Sequence, residues 1–425
     1  MKEKYLKDLD KIVEIARLQD YKINSITFYN LFSSFPDSEK SEEILDEMEQ
    51  YLKVNKIDIV TDGVELEELD NSSFSEKIRP FDPSKIDIIM KPMTMDSLLK
   101  RIGHEEINLN TDFQRKGGLW TDVKKSQLIE SLLLKIPLPA FYFDAGNDES
   151  WLIIDGLQRI TAFKEFIVDK TLPLVGLEFF SDFNGLTYDN LPRTFTRRIE
   201  ETNIIVYTLN PGTPQNVKYN IFKRINTGGL QLEAQEIRHA LYQGASTILI
   251  KEMASMQSFL EATSNSIKTD RMMDREFALR FISVCFYGIE KYEGNSDEFL
   301  NNTMVYINNI SDVERKTIKI EFDKTMIRVN KIFGRYSFRK MGRDYRRRPI
   351  NKAVFEIWCY NLMKLNENQI EHLMNNSNKI YKDFIDLCEI GYSFSNYLKA
   401  SDKKSFLVRI RYVERLIKEI LGYDK

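Results

Sequence analysis

The chain has 425 residues, 42% of them hydrophobic and 12% aromatic. These values exclude a disordered or fibrous chain and predict two or three globular domains with a sizeable core. Three cysteines without CxxC spacing predict reduced thiols in a cytoplasmic protein and no zinc site. No apolar run approaches the length of a membrane span and the first residues do not form a signal peptide, so we expect no membrane partner.

The net charge of −3 is unevenly distributed. Residues 1–80 carry 19 acidic and 11 basic residues, a net charge of −8, and the remainder carries 50 basic and 45 acidic residues, a net charge of +5. Such an acidic head favours contact with a basic surface, of this chain or of a partner.

The pattern of residues 1–66 predicts a small acidic module of three short helices, with an edge strand over 57–60. This winged-helix-like order resembles the acidic N-terminal region of primary bacterial sigma factors. The resemblance implies a module that blocks DNA access by mimicking the charge of DNA. A docking domain for a partner, or for a second copy in a homodimer, is an equal alternative.

After a linker over 67–90, residues 91–215 alternate between helical and strand patterns. A helix is expected near 95–99, and an alternating stretch then leads to Gln114 and Arg115. Thr121 is placed to cap the next helix, and a short strand is expected over 140–143. A buried strand over 151–154 follows and ends abruptly at Asp155 and a glycine. These elements predict an α+β fold with a mixed sheet.

The segment 155–159, here called the DGLQR motif, has the composition of an anion site. Gly156 lets backbone N–H groups approach a ligand, and the following helix start offers unpaired donors. Arg159 adds a guanidinium for phosphate, and Asp155 is placed to hold a metal ion or a water. A tight turn with a surface ion pair is the plainer interpretation of the same residues.

A second polar turn follows further along the chain, where Asn226, Thr227 and Gly228 close a predicted helix. From there the spacing of apolar residues is almost wholly helical, which predicts an α-helical domain over 216–425.

Several ordered motifs over residues 90–360 resemble the N-terminal domain family of GmrSD-type modification-dependent restriction systems, a ParB-like domain with a DGQQR motif. The chain differs at Leu157, where the family has glutamine. The matching segments are FQR at 113–115, IPLP at 136–139, the DGLQR motif, residues 222–241, residues 271–281 and residues 350–356.

The resemblance implies a ParB/sulfiredoxin-like domain that binds and hydrolyses a nucleoside triphosphate with Mg²⁺. The residues fit such chemistry, because phosphoryl transfer needs mainly positioning and charge neutralisation. In this interpretation Asp155 holds Mg²⁺ or positions water, Gln158 orients the attacking water, and Arg159 holds phosphate. The predicted nucleotide contacts come from Gln114, Arg115, Gly156, Asn226, Thr227 and Gly228. The chain has no P-loop sequence, and Leu157 puts in doubt any role of the missing glutamine.

A basic segment over 331–348 has eight basic residues, one acidic residue and four aromatic residues. Such a mixture favours contact with nucleic acid, through phosphate neutralisation and base stacking. The alternative is a solvated loop that binds the acidic head or a neighbouring helix. The predicted DNA-contacting residues are Arg335, Arg339, Lys340, Arg343, Arg346, Arg347 and Arg348.

The three histidines, His104, His239 and His372, do not form an HNH pattern, so we expect no HNH nuclease in this chain and a separate nuclease or defence subunit as partner. Two functions remain open. In the first, the chain is a nucleotide-hydrolysing component of a bacterial restriction or anti-phage system that engages DNA. In the second, it is a non-catalytic DNA-binding or regulatory protein whose motif only binds a ligand.

Overall fold

The computed structural model describes most of the chain after residue 87. The described residues are 9–10, 13, 16, 22–24, 42–55, 57–60, 87–109, 120–147, 149–225, 232–388 and 393–423. Most of the acidic head and of the predicted linker therefore lies outside the described residues, and so does the proposed winged-helix arrangement.

In the head, three elements fall within the described residues. They are strand β1 (Lys22–Asn24), helix α1 (Glu42–Val54) and strand β2 (Asp58–Val60). The helix and the second strand lie where the sequence predicted them. The two strands pair in parallel, with Ile23 opposite Ile59. The strand at 22–24 was not expected, since the sequence pattern predicted only helices before the strand at 57–60.

A five-stranded mixed sheet follows, in the order β3-β7-β5-β6-β4. The strands are β3 (Ile88–Thr94), β4 (Ile107–Asn108), β5 (Phe141–Asp144), β6 (Trp151–Asp155) and β7 (Asn203–Leu209). β3 begins three residues before the predicted start of this domain at 91. β5 is central, antiparallel to β6 and parallel to β7, so the end of β6 lies beside the beginning of β5.

Four helices accompany the sheet. They are α2 (Met95–Gly103), α3 (Asp122–Leu133), α4 (Leu157–Phe163) and α5 (Arg193–Glu200). Thr121 caps α3 as predicted, because its hydroxyl accepts from the backbone N–H of Lys124 at 3.3 Å. The chain continues α4 as a π-helical turn over Lys164–Val168.

The remainder of the described chain is helical, as the spacing predicted. Its helices are α6 (Gln215–Ile225), α7 (Ala234–Leu241), α8 (Ala245–Ala254), α9 (Gln257–Ala262), α10 (Met273–Ile282), α11 (Ser296–Asn309), α12 (Asp312–Phe333), α13 (Lys352–Met363), α14 (Glu367–Asn375), α15 (Ser377–Cys388), α16 (Ser393–Lys399) and α17 (Lys403–Leu421). The protein is therefore an α+β domain followed by a helical domain. Among the described helices, none has the length and apolar character that crossing a bilayer requires.

The two faces of the sheet belong to different cores. Ile153 and Val206 are buried with α2 to α5 in the core of the α/β domain. Ile154 and Leu209 are buried with the helices that follow residue 215. Because side chains alternate across a strand, one sheet joins both cores.

A buried network of ion pairs holds α10, α13 and α17 together. Glu276 lies 2.7 Å from Arg280, which reaches Glu356 at 2.5 Å. Glu356 also pairs with Arg409 at 2.9 Å, and Lys352 lies 3.0 Å from Glu276. Most of these residues lie in the late motifs over 271–281 and 350–356. In this part of the chain, the motifs therefore correspond to contacts that pack helices.

The charged residues of the motif over 222–241 also make contacts that hold structural elements together. Arg238 is 1% exposed and donates to Asp297 and, at 3.0 Å, to Asn301 of α11. Glu236 is buried and pairs with Arg271 at 3.0 Å. The charged residues of this motif therefore fix α7 against neighbouring helices.

Candidate functional site

The DGLQR motif forms a strand-turn-helix corner, as predicted. β6 ends at Asp155, and Gly156 has a φ of 105°, in the left-handed region that favours glycine. A Cβ on this residue would lie 2.6 Å from Cδ1 of Phe141 and 3.3 Å from Nη2 of Arg159. Both the backbone angle and the close packing therefore require glycine here.

Asp155 and Arg159 are held together across this corner. Nη2 of Arg159 donates to Oδ2 of Asp155 at 2.9 Å, and the two residues lie four positions apart in the sequence. The same guanidinium donates to the carbonyl oxygens of Pro139 and, at 3.1 Å, Ala140. It also lies over the ring of Phe141, 4.3 Å from the centroid. Arg159 thus connects the end of β6 to the start of β5.

Burial distinguishes the two partners. Arg159 is 8% exposed, whereas the side chain of Asp155 is 36% exposed. Burial lowers the pKa of Arg159, and the neighbouring Asp155 carboxylate opposes that change. An arginine pKa lies so high that the guanidinium stays charged. The carboxylate therefore faces a fixed positive charge on one side and solvent on the other.

Gln158 anchors the far end of the segment that carries Gln114 and Arg115. Its Oε1 accepts from the backbone N–H of Trp120 at 3.2 Å. At the near end of that segment, β4 pairs in parallel with β6, with Asn108 opposite Leu152. Both ends of the segment therefore meet the strand and helix that form the DGLQR corner.

Five predicted nucleotide contacts lie outside the described residues. They are Gln114, Arg115, Asn226, Thr227 and Gly228. α6 ends at Ile225, directly before the last three, and α6 contacts β6. These assignments stay predictions.

Two tyrosines beside the corner were missed by the sequence reasoning. Tyr142 lies opposite Asp155 in the β5–β6 register and stacks on Tyr207 of β7, with centroids 4.9 Å apart. Burial, Tyr207 and Asp155 raise the pKa of Tyr142. The alternation of Tyr142 with the buried Phe141 and Phe143 could have revealed that it lies on the other face of the sheet.

The described residues contain no cluster of three His, Cys, Asp or Glu that could hold a metal ion. A metal site formed by protein ligands alone is therefore not available in this part of the chain. Mg²⁺ commonly binds through one or two carboxylates plus substrate phosphates and water. The single half-exposed carboxylate of Asp155 fits this second arrangement.

The basic segment is folded against the helical domain. Arg339 is 4% exposed and donates to the carbonyl oxygens of Arg335 and Arg348. Arg348 pairs with Asp344 at 3.2 Å, and Arg343 pairs with Asp386 at 2.9 Å. The segment is thus not an open basic loop, although Arg343 is largely exposed.

Two of the three histidines have structural surroundings, whereas His104 is exposed. His239 is buried and its Nδ1 lies 3.3 Å from Nη1 of Arg275. Nε2 of His372 lies 3.2 Å from the carbonyl oxygen of Ile420.

Residues 97–243 match the family model described as "GmrSD restriction endonuclease, N-terminal domain". This segment of the chain is similar to a GmrSD-type N-terminal domain. The match runs from within α2 to just past α7, so it includes strands β4 to β7, the DGLQR corner and the first helices of the helical part, whereas β3 lies before it. No curated protein and no solved structure matched the chain. The similarity of residues 97–243 to this domain points to a restriction or defence system.

Proposed function

We propose that the GmrSD-type domain binds a nucleoside triphosphate at the DGLQR corner and hydrolyses it with Mg²⁺, as a component of a DNA restriction or anti-phage system. The observation that supports this proposal best is the ion pair between Asp155 and Arg159. A buried, immobile guanidinium fixes one carboxylate oxygen, while the other oxygen remains available at the end of a strand.

This geometry favours a positioning role for Arg159. Its described hydrogen bonds go to Asp155 and to two backbone carbonyl oxygens, and it is almost fully buried. We therefore assign phosphate neutralisation mainly to Arg115. Arg159 holds the Asp155 carboxylate in one orientation. No conformational entropy is then lost at this side chain when a metal ion binds.

Mg²⁺, held by Asp155 and by the phosphates of the nucleotide, would supply charge stabilisation for phosphoryl transfer. Gln158 uses its Oε1 to hold Trp120. Its amide N–H groups remain as donors that can orient a water molecule or a phosphate oxygen. Tyr142 and Tyr207 provide a stacked aromatic surface next to Asp155, which suits a nucleobase.

Engagement of DNA is the second part of the proposal, and it rests on the basic segment. Arg343 and Arg346 are its best candidates for phosphate contact, since Arg339 is buried. An acidic head in the same chain could compete with DNA for such a basic surface.

Phosphate release tests the proposal. The full chain is incubated with each of the four ribonucleoside triphosphates and Mg²⁺, with and without DNA, beside Asp155→Asn. Asp182→Asn is the matched control, because Asp182 is exposed in the same domain and loses the same charge. Release that disappears in Asp155→Asn and persists in Asp182→Asn supports hydrolysis at this corner.

The alternative is a corner that binds a nucleotide without turnover. The buried Arg159 and the departure at Leu157 favour it. Nucleotide binding that depends on Asp155, without any release by the wild type, would establish this alternative. Absence of both binding and release would refute the proposal.

A further inference from the structure

The helical domain contains a cavity that lies outside the DGLQR corner. Its volume is about 440 Å³, which is in the range of sites for small ligands. It lies between the end of α9 and the start of α10. Its lining includes Thr263, Asn265, Ser266, Lys268 and Asp274.

Two arginines of the basic segment, which are not themselves part of the lining, converge on the hydroxyl of Ser266, a residue that lines this cavity. Nη2 of Arg339 lies 2.8 Å from Oγ of Ser266, and Nη2 of Arg347 lies 3.3 Å from the same atom. Two positive groups that meet at a neutral oxygen repel each other. An anion at this point would convert that repulsion into two charge-assisted hydrogen bonds.

Arg347 has donor capacity that its described surroundings do not use. Its Nε is buried without a hydrogen-bond partner, and no described carboxylate lies within ion-pair distance of it. A buried donor without an acceptor is unfavourable, because it has lost its contact with water without gaining a partner. Arg339 is held rigidly by the carbonyl oxygens of Arg335 and Arg348. A phosphate group between the two arginines could accept hydrogen bonds from the fixed guanidinium of Arg339 and from the donors of Arg347 that lack an acceptor.

An acidic group lines the same cavity. Asp274, in the first turn of α10, has a buried Oδ1 without a hydrogen-bond partner among the described residues, although the backbone N–H groups of Asp274 and Arg275 act on the carboxyl group. Burial raises the pKa of this carboxyl group. A ligand that offers N–H donors would satisfy Asp274, in the way that acidic side chains accept from the amino group of cytosine.

We propose that this cavity binds a nucleotide, with its phosphate between Arg339, Arg347 and Ser266 and its base amino group at Asp274. The nucleotide is either free or part of a single strand, since both present the same phosphate and base. The site is separate from the DGLQR corner and does not depend on the function proposed there.

The competing explanation is purely structural. Ser266 would then only fasten the loop after α9 to the basic segment. The two explanations differ in their response to added ligand, because a ligand that binds the native state raises the melting temperature.

Melting temperature and calorimetric binding are measured on the full chain in EDTA, in the Asp155→Asn background, so that magnesium-dependent binding at the corner does not contribute. The probes are inorganic phosphate, deoxycytidine monophosphate and a short single-stranded oligonucleotide. The variants are Arg347→Gln, Ser266→Asp and Asp274→Asn. Arg411→Gln, an exposed arginine on α17, is the matched control.

We expect the mononucleotide or the oligonucleotide to raise the melting temperature and Arg347→Gln to weaken its binding at least tenfold, with Arg411→Gln unchanged. Ser266→Asp places a carboxylate between the arginines, so it should raise the melting temperature of the free protein and abolish the ligand increment. Asp274→Asn should weaken nucleotide binding without affecting the binding of inorganic phosphate.

Binding of the mononucleotide would show that a free nucleotide is sufficient, and binding of the oligonucleotide alone would identify a single strand as the ligand. No increment with any probe, or equal increments in wild type, Arg347→Gln and Ser266→Asp, would overturn the proposal.

Discussion

Oε1 of Gln158 accepts a hydrogen bond from the backbone N–H of Trp120 across 38 residues of sequence, at 3.2 Å. The first turn of α4 therefore holds the chain directly after the segment that carries Gln114 and Arg115.

Removal of the anchor should leave the backbone N–H of Trp120 without its acceptor. Gln158→Met keeps the length of the side chain and loses the acceptor, which costs about 1 kcal/mol and corresponds to about a fivefold change in an equilibrium. We expect hydrogen–deuterium exchange of the Trp120 amide to accelerate by about that factor, with exchange in the core strands unchanged. Mass spectrometry of peptides that cover Trp120 measures it. Equal exchange rates in variant and wild type would show that the hydrogen bond does not protect this amide.

Gly156→Ala should destabilise the protein. A left-handed φ costs a non-glycine residue about 1–2 kcal/mol, and the new Cβ would also overlap with Phe141. We therefore expect the free energy of unfolding to fall by about 2 kcal/mol or more in urea titrations. Phe141→Leu removes buried ring contacts and should destabilise the wild type, but it should cost less in the Gly156→Ala background, where it also relieves the overlap. Equal costs of Phe141→Leu in the two backgrounds would exclude the steric component.

Leu157 packs against the core of the α/β domain. Leu157→Gln, which restores the residue typical of the GmrSD N-terminal family, should therefore lower the free energy of unfolding by about 1 kcal/mol through lost apolar burial. Phosphate release by the folded variant, compared with the wild type, shows whether the glutamine also adds to turnover. Unchanged stability would contradict the packing role.

Acid should destabilise the helical domain. Burial alone would raise the pKa of Glu276, but Lys352, Arg280 and Arg238 outweigh it and hold that pKa well below its ordinary value. The pKa of Asp297 is lowered in the same way by Arg238 and Lys223, against the effect of burial. A carboxylate with a lowered folded pKa stabilises above its unfolded pKa and loses this contribution as pH falls. Unfolding free energy should therefore be steady from about pH 7 to 5 and decrease below about pH 4.

Glu276→Gln is the corresponding variant. It leaves Arg280 and Lys352 partly uncompensated and should cost about 3 kcal/mol at neutral pH. Its stability should then depend less on acid than that of the wild type. Parallel pH profiles for the two proteins would show that Glu276 is not a source of the acid sensitivity.

Contact of Arg343 with DNA should appear in the salt dependence of affinity. Arg343→Gln removes one largely exposed charge, so the slope of log affinity against log salt should decrease by about one. Arg411→Gln is the control for general charge loss. A slope that Arg343→Gln leaves unchanged would exclude phosphate contact by this residue.

Local pattern was sufficient for much of the fold. The run at 151–154, the Thr121 cap and the long helix over Asp312–Phe333 each follow from residues close in sequence. Helix interruptions were harder to predict. The stretch from Ile248 to Leu260 continues the helical spacing, yet α8 and α9 are separate helices with a break at Ser255–Met256. Apolar spacing alone does not reveal such a break.

For the site, the sequence predicted that Asp155, Gly156 and Arg159 lie at one corner. It did not predict the direction of the Arg159 side chain. That direction depends on the carbonyl oxygens of Pro139 and Ala140, which the chain brings near only through the pairing of β5 with β6. The convergence of Arg339 and Arg347 on Ser266 is equally non-local. Long-range contacts of this kind have no signature in the spacing of residues.

The sheet whose opposite faces enter two cores has a consequence for how the protein unfolds. Removing the chain after residue 215 would expose Ile154 and Leu209 to water. The α/β and helical parts should therefore melt in one cooperative transition. A nucleotide that binds at either part would stabilise both, so occupancy at the DGLQR corner can be transmitted to the helical domain through their shared stability, without any hinge between them.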